Sequence, residues 1–250
     1  MVPKTLLSLQ HPFIKYLVSL RLDKSFRKQE KKVLLSGVKM VQEFAASPAA
    51  IDTLILQEGS SFSFPARETI FVTYEILKKI TGTIHPEPIA AVVPLPSFQD
   101  LSSASYLLVL DGVADPGNVG TLLRSALALG WSGAYLLDNT CDPFNEKALR
   151  AAKGATFRLP LAQGSWESFI EMANKNSFQV LVADIEGRKI NQTKCSLPVA
   201  LLLSRESQGA REDAKNSFFK VTIPIQQMES LNVASAGAIL LYELRQSRES

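Results

Sequence analysis

The chain has two cysteines and two histidines in 250 residues. Cys141 and Cys195 lie in separate segments without metal-type spacing, which gives no basis for a disulfide framework or a zinc site and fits a reducing compartment. His11 and His85 each precede a proline, and neither stands beside a serine, cysteine or acidic residue. A histidine-based catalytic triad therefore lacks support, and both are read as structural or surface residues. No uncharged run approaches the ~20 apolar residues of a membrane-spanning helix, and the start, MVPKTLLSLQHPF, lacks a hydrophobic signal core. The expectation is a cytoplasmic protein with no membrane association and no metal.

Net charge is also small, at +3, in a chain of ordinary globular composition with 46% hydrophobic residues. Its distribution is uneven. Lys15, Arg21, Lys24, Arg27, Lys28, Lys31, Lys32 and Lys39 crowd one segment against only Asp23 and Glu30, whereas from Leu101 onward 15 basic residues balance 15 acidic ones. Such a segment suits a polyanionic partner and equally a solvated surface helix; charge alone does not choose between them.

The most informative stretch is Leu107 to Gly130, LLVLDGVADPGNVGTLLRSALALG. Four apolar residues run into Asp111, a loop with Gly112, Pro116, Gly117, Asn118 and Gly120 follows, and helical spacing continues through Leu122, Leu123, Ala126, Leu127 and Leu129. This is strand, glycine-rich loop, helix. In a parallel sheet the loop lies at the carboxyl end of the strand, where ligands bind. Asn118 can cap the helix start, and Arg124 lies under two turns further on, able to meet a phosphate or a carboxylate.

Before this stretch the spacing predicts a helix over residues 10–24 and a short strand at Val33 and Leu34. A helix burying Val38, Val41 and Phe44 follows, then strands at 51–57 and 71–73, a helix at 74–80 and a strand at 89–93. The polar segment 97–105 is the best boundary, giving domains 1–96 and 106–250 with 97–105 as linker. After Gly130 the pattern predicts strands at 134–137, 156–159, 179–183, 199–203 and 218–223, with helices at 145–153, 166–173 and 231–244. This alternation implies an α/β domain with an open, doubly wound parallel sheet.

Three separated blocks then share a pattern. Asn118, Gly120 and Arg124 form Asn-x-Gly-x-x-x-Arg; Ser204, Glu206 and Gly209 close the apolar run LLLSRESQG; and Ile223 and Pro224 precede Ser230, Leu231, Asn232 and Val233. Together they resemble the SpoU, or TrmH-like, RNA 2'-O-ribose methyltransferases of the SPOUT superfamily. Ser204 stands where that family usually has glycine, and the loop IPIQQMESLN is one residue shorter than the usual form. LRAAKGATFRLP, with Lys153, Gly154 and Ala155, resembles a further family block. The amino-terminal domain is similar to the L30e-like substrate-binding domain, with GVKMVQEF and IAAVVPLP fitting its pattern and Ser36 where an acidic residue is common.

The resemblance implies a carboxyl-terminal SPOUT domain whose parallel sheet carries a deep trefoil knot, preceded by a small L30e-like α/β domain. It further implies S-adenosyl-L-methionine held near Leu203, Ser204, Gly209, Ile223 and Leu231, a homodimer formed through the knotted domains, and an RNA substrate, rRNA ahead of tRNA. The small-residue helix 231–244 and the apolar face of 118–129 are the candidate dimer contacts. Catalytic residues carried over are Asn118, Arg124, Glu206, Ser230 and Asn232. Arg124 suits phosphate clamping, since its very high pKa makes proton abstraction demanding, with base action as the rival role. Asn118 either hydrogen-bonds across the site or caps its helix, Ser230 and Asn232 are equally good helix caps, and Glu206 either holds Arg124 or Asn118 in register or is a solvated turn acid. Lys15, Arg21, Lys24, Arg27, Lys28, Lys31 and Lys32, together with Arg124, are the expected RNA contacts.

Two other classes compete. A dinucleotide-dependent oxidoreductase predicts G-x-G-x-x-G, absent from GVADPGNVG, and an acidic residue some distance on, for which Asp138 is an ambiguous match. A non-catalytic RNA-binding or ribosome-assembly protein on the same scaffold would not need Arg124, Glu206 and Asn232.

Overall fold

The computed structural model describes residues 4–193, 195–205 and 209–246. The chain divides into two compact units, the first made of residues 1–96 and 144–154, the second of 97–143 and 155–250. Segment 144–154 therefore clusters with the first unit, although its position in the sequence suggests the second.

In the first unit five strands form one sheet: β1 (Lys4–Leu6), β2 (Lys32–Ser36), β3 (Ile51–Gln57), β4 (Ala66–Val72) and β5 (Ile89–Pro94), in the order β1-β4-β3-β5-β2. β5 runs antiparallel to both β2 and β3, and the other pairs are parallel. Helix α1 (Pro12–Leu22) starts where His11 Nδ1 accepts a hydrogen bond from Phe13 N at 3.1 Å, with Pro12 in the first turn. Its Ile14, Leu17 and Leu20 are fully buried against the sheet core with Ile76, Leu77 and Ile80 of α4 (Tyr74–Thr81).

The charged run after Leu22 is itself helical. Asp23 Oδ1 accepts from Ser25 N at 2.7 Å and Phe26 N at 3.1 Å, ending α1 and starting α2 (Lys24–Glu30). Arg27 of α2 is buried, and its Nη1 donates to the carbonyls of Leu20 at 2.8 Å and Arg21 at 3.0 Å. These are the last-turn carbonyls of α1, which lack partners within their own helix. The expectation that Arg27 contacts RNA is thus corrected: its guanidinium is spent inside the fold. A third helix, α3 (Val38–Ala45), buries Met40, Val41 and Phe44.

The second unit has six parallel strands, β6 (Tyr106–Asp111), β7 (Gly133–Leu137), β8 (Leu161–Gly164), β9 (Gln179–Lys189), β10 (Val199–Ser204) and β11 (Phe219–Thr222), ordered β11-β9-β10-β6-β7-β8. Its helices are α5 (Pro116–Ala128), α7 (Trp166–Lys175), α8 (Glu212–Ser217) and α9 (Val233–Gln246); α6 (Glu146–Ala152) belongs to the first unit. The strands are near-continuous apolar runs, as sheets covered on both faces require. On one face Leu107, Val109, Val182 and Leu202 share a core with Phe169 of α7.

Two details depart from the sequence pattern. The expected strand at 156–159 is a 3-10 turn, Ala155–Phe157, and the strand begins after Pro160, pairing Leu161–Gly164 with Ala134–Leu137. β9 also continues past Ala183. It pairs Leu181 and Val182 with Phe219 and Lys220, then resumes with Arg188 and Lys189 opposite Val221 and Thr222, so the intervening residues bulge out of the ladder. Gly187 allows this, because a Cβ there would stand 2.5 Å from Val221 N.

The strand order reverses between β6 and β10, whose carboxyl ends are neighbours, Ser204 opposite Asp111. That reversal is a topological switch point, where open α/β sheets bind ligands.

Candidate active site

Helix α5 leaves β6 through a hydrogen-bonded loop. Thr140 Oγ1 donates to Leu110 O at 2.7 Å and accepts from Gly112 N at 3.2 Å, and Cys141 N donates to Val113 O at 3.0 Å. Gly112 has φ +69°, a conformation open to glycine. The cap of α5 is Asp115, whose Oδ1 accepts from Asn118 N at 2.8 Å, with Pro116 in the first turn. Asn118 is therefore not the cap. Its side chain is left for a longer-range partner, and Asn118 Oδ1 accepts from Asn232 Nδ2 at 3.1 Å.

Asn232 has a second task. Its Oδ1 accepts from Ala234 N at 3.0 Å and Ser235 N at 3.3 Å, so it starts α9. Ser230, offered by the sequence as an alternative cap, lies exposed in the preceding loop. Arg124 is exposed on α5, ~9 Å along the helix axis from Asn118. Arg124 forms no ion pair with any described residue. Glu206 lies outside the described residues.

A cavity of about 460 Å³ opens beside the ends of β9 and β10. Its walls are the β9 bulge (Asp184, Ile185, Glu186), the end of β10 (Leu203, Ser204, Arg205), Gly209, the loop from Thr222 to Leu231, and the start of α9. All five residues expected at the cofactor, Leu203, Ser204, Gly209, Ile223 and Leu231, line it. Among the described residues the buried Ser204 hydroxyl has no hydrogen-bond partner, a costly state unless a ligand supplies one. Asp184, Glu186 and Glu229 add carboxylates; Lys215 lies 3.8 Å from Asp184 and 3.4 Å from Glu212, and Lys220 3.1 Å from Glu186.

Sequence reasoning missed Arg205 and the acidic bulge. The apolar run ends at Ala183, and nothing in periodicity shows that a strand resumes five positions later.

The basic segment of the first unit divides by role. Lys15, Lys28 and Lys31 are exposed and Lys24 is half-buried. Arg21 pairs with Glu146 at 3.3 Å, and Lys32 with Asp52 at 3.3 Å.

Part of the expected dimer faces is taken up by packing inside the second unit. Leu122, Leu123 and Ala126 of α5 are fully buried inside the second unit, and a Cβ on Gly237 of α9 would press on Leu122 and stand 2.7 Å from Leu203 Cδ1. These residues are consumed by packing within the chain. What α9 leaves outward is Ile239 and Tyr242, 40% and 49% exposed.

A cavity at the carboxyl end of β10 in a parallel sheet, with a cation on the helix that follows the neighbouring β6, fits an α/β ligand-binding protein. The model of the SpoU rRNA Methylase family matches residues 105–242, and that of the MRM3-like substrate binding domain residues 11–91. The chain belongs to the SpoU rRNA methylase family. It is 31% identical over 230 residues to the 23S rRNA (guanosine(2553)-2'-O)-methyltransferase RlmP of Bacillus subtilis (strain 168), covering 89% of this chain and 92% of that protein. It is 29% identical to human mitochondrial rRNA methyltransferase 3, over 87% of this chain and 68% of that one. The crystal structure of an AdoMet-bound rRNA methyltransferase from Sinorhizobium meliloti superposes with a TM-score of 0.87 at 26% identity, covering 99% of each chain.

Proposed function

We propose that the chain transfers a methyl group from S-adenosylmethionine to a ribose 2'-hydroxyl of rRNA. The observation that carries this reading is the junction of the three family blocks in one unit: Asn118 bonded to Asn232, Arg124 on the same helix, and Ser204 in the cavity wall. S-adenosylmethionine fits that cavity chemically. The Ser204 hydroxyl, without a partner among the described residues, offers a hydrogen bond, Leu203, Ile223 and Leu231 offer apolar surface, and the Glu229 carboxylate suits a cationic ligand. When bound, the group supplies an electrophilic methyl on a sulfonium.

The chain's own residues do the rest. Arg124, with no protein counter-ion among the described residues, holds a phosphate next to the target ribose, and its positive charge favours release of the 2'-hydroxyl proton to solvent as that oxygen becomes the nucleophile. The Asn118–Asn232 bond fixes the starts of α5 and α9 so that substrate and donor meet in one geometry. Exposed Lys15, Lys28 and Lys31 of the first unit supply salt-sensitive contacts to RNA phosphates. The 2'-hydroxyl target makes RNA, and not DNA, the substrate.

The segment after Ser204 is inferred to form the trefoil knot of the family, and the chain to work as a homodimer through the outward side of α9, Ile239 and Tyr242. A cytoplasmic location fits a chain in which Cys141 and Cys195 are not joined in a disulfide.

The test is methyl transfer from labelled S-adenosylmethionine to total rRNA or tRNA from cells lacking the gene, with the modified position mapped. Label on a ribose oxygen of rRNA is expected. Arg124→Ala should lower turnover on the order of a hundredfold while leaving cofactor binding within about twofold. Absence of transfer to any RNA by folded protein overturns the enzyme reading, and label on a base overturns the chemistry.

A further inference from the structure

Arg205 follows Ser204 at the end of β10, and the parallel register that sets Leu203 beside Leu110 and Ser204 beside Asp111 carries it to Gly112. The side chain lies across that glycine: a Cβ there would stand 3.1 Å from Arg205 Nε, 3.2 Å from Nη2 and 3.4 Å from Cζ. The guanidinium thus occupies space that a side chain at residue 112 would contest. That glycine is itself braced by Thr140 through Leu110 O and Gly112 N. Arg205 is half-buried, and among the described residues it has no ion pair and no side-chain hydrogen bond. A partly desolvated cation with no counter-ion among the described residues suits an anionic ligand.

We propose that Arg205 is a second anion-binding side chain of the substrate site, gripping an RNA phosphodiester from the cradle at Gly112. The proposal rests on the methyltransferase reading above. Two anions are conceivable at this place, an RNA phosphate and the carboxylate of the cofactor. The phosphate is favoured because Arg205 leans onto the loop from which α5, with Asn118 and Arg124, departs. Arg205 also borders the cavity, where Lys215 is already paired with Asp184 and Glu212, so the two anions are separated by measuring RNA and cofactor binding side by side.

The experiment compares wild type, Arg205→Gln and Arg205→Lys as full chains, each checked by thermal melting. Retention of labelled total rRNA on filters is measured across a salt series, methyl transfer is measured on the same rRNA, and S-adenosylmethionine binding is measured by calorimetry. Arg205→Gln is expected to raise the RNA Kd and KM about tenfold and reduce the salt slope by about one, a larger change than any in the cofactor Kd. Arg205→Lys should recover part of the RNA affinity. Weakened cofactor binding with unchanged RNA affinity would assign the arginine to the cofactor carboxylate and overturn the proposal, as would no change in either. If the wild type binds rRNA but transfers no methyl group, the enzyme reading fails, and the filter series still decides whether Arg205 holds RNA.

Discussion

Asn232 Nδ2 donates to Asn118 Oδ1 at 3.1 Å, tying the start of α9 to the start of α5 across 114 positions of chain. The same amide caps α9 through its Oδ1, so one side chain serves both helix stability and the site.

These two roles separate by substitution. Asn232→Ser keeps a capping oxygen but is too short to reach Asn118, so melting temperature should hold while methyl transfer falls about tenfold. Asn232→Ala should lose both, with about 1 kcal/mol of stability in addition. Thermal denaturation and labelled transfer read the two effects. Full activity in the serine variant would show that the bond to Asn118 is not used in the reaction.

How much of this was legible in advance follows from what periodicity encodes. The strands of the second unit announce themselves as apolar runs bounded by polar turns, and β6, β7 and β10 fall within a residue of expectation at each end. The motif residues Asn118 and Asn232 were legible through resemblance, but their mutual bond was not, because Asp115 had first to take over the cap that the sequence offered to Asn118. The resumption of β9 at Arg188 depends on close backbone approach at Gly187, a three-dimensional fact without period. Charge counting failed in the opposite way. It put Arg27 with its exposed neighbours, whereas two carbonyls of α1 hold it inside.

The contact between α9 and α5 sets a second test. At Gly237 a methyl group presses on Leu122 and Leu203, both essentially without exposure, and the gain in helix propensity from Gly to Ala, about 1 kcal/mol, offsets part of an overpacking cost of about 1–3 kcal/mol. Gly237→Val, β-branched and larger, should therefore lose about 3 kcal/mol by chemical denaturation. Leu122→Ala alone should cost ~2–5 kcal/mol. Combined, the two should cost less than their sum, because the valine fills space that the leucine vacates.

Alkaline stability of the first unit gives a third. Burial foremost, then the nearby Glu30 and Asp52 carboxylates, pushes the Tyr16 hydroxyl up to about 12 from an ordinary 10.0. The folded state thus keeps the proton longer than the unfolded chain, and this contribution is complete below pH 10 and is lost as pH rises toward 12. Stability should fall across that window in the wild type, and less steeply in Tyr16→Phe, as followed by denaturant melts at pH 9 to 12.

The sharpest separation of structure from binding lies within α2, where Arg27 and Lys28 are neighbours in sequence with opposite surroundings. Arg27 is 3% exposed and donates from one nitrogen to Leu20 O and Arg21 O, whereas Lys28 is exposed to solvent. Removing Arg27 leaves two carbonyls at the end of α1 without their donor, and hydrogen bonds to a charged group contribute about 1.5–3 kcal/mol. Arg27→Ala should accordingly lower the unfolding free energy by at least that amount, while RNA affinity of the protein that remains folded stays within about twofold. Lys28→Ala should do the reverse, leaving the melt unchanged and reducing the salt slope of rRNA binding by about one. Equal losses of RNA affinity in both variants would mean that the α1–α2 corner is itself read by the RNA, and that its folding and its binding cannot be separated.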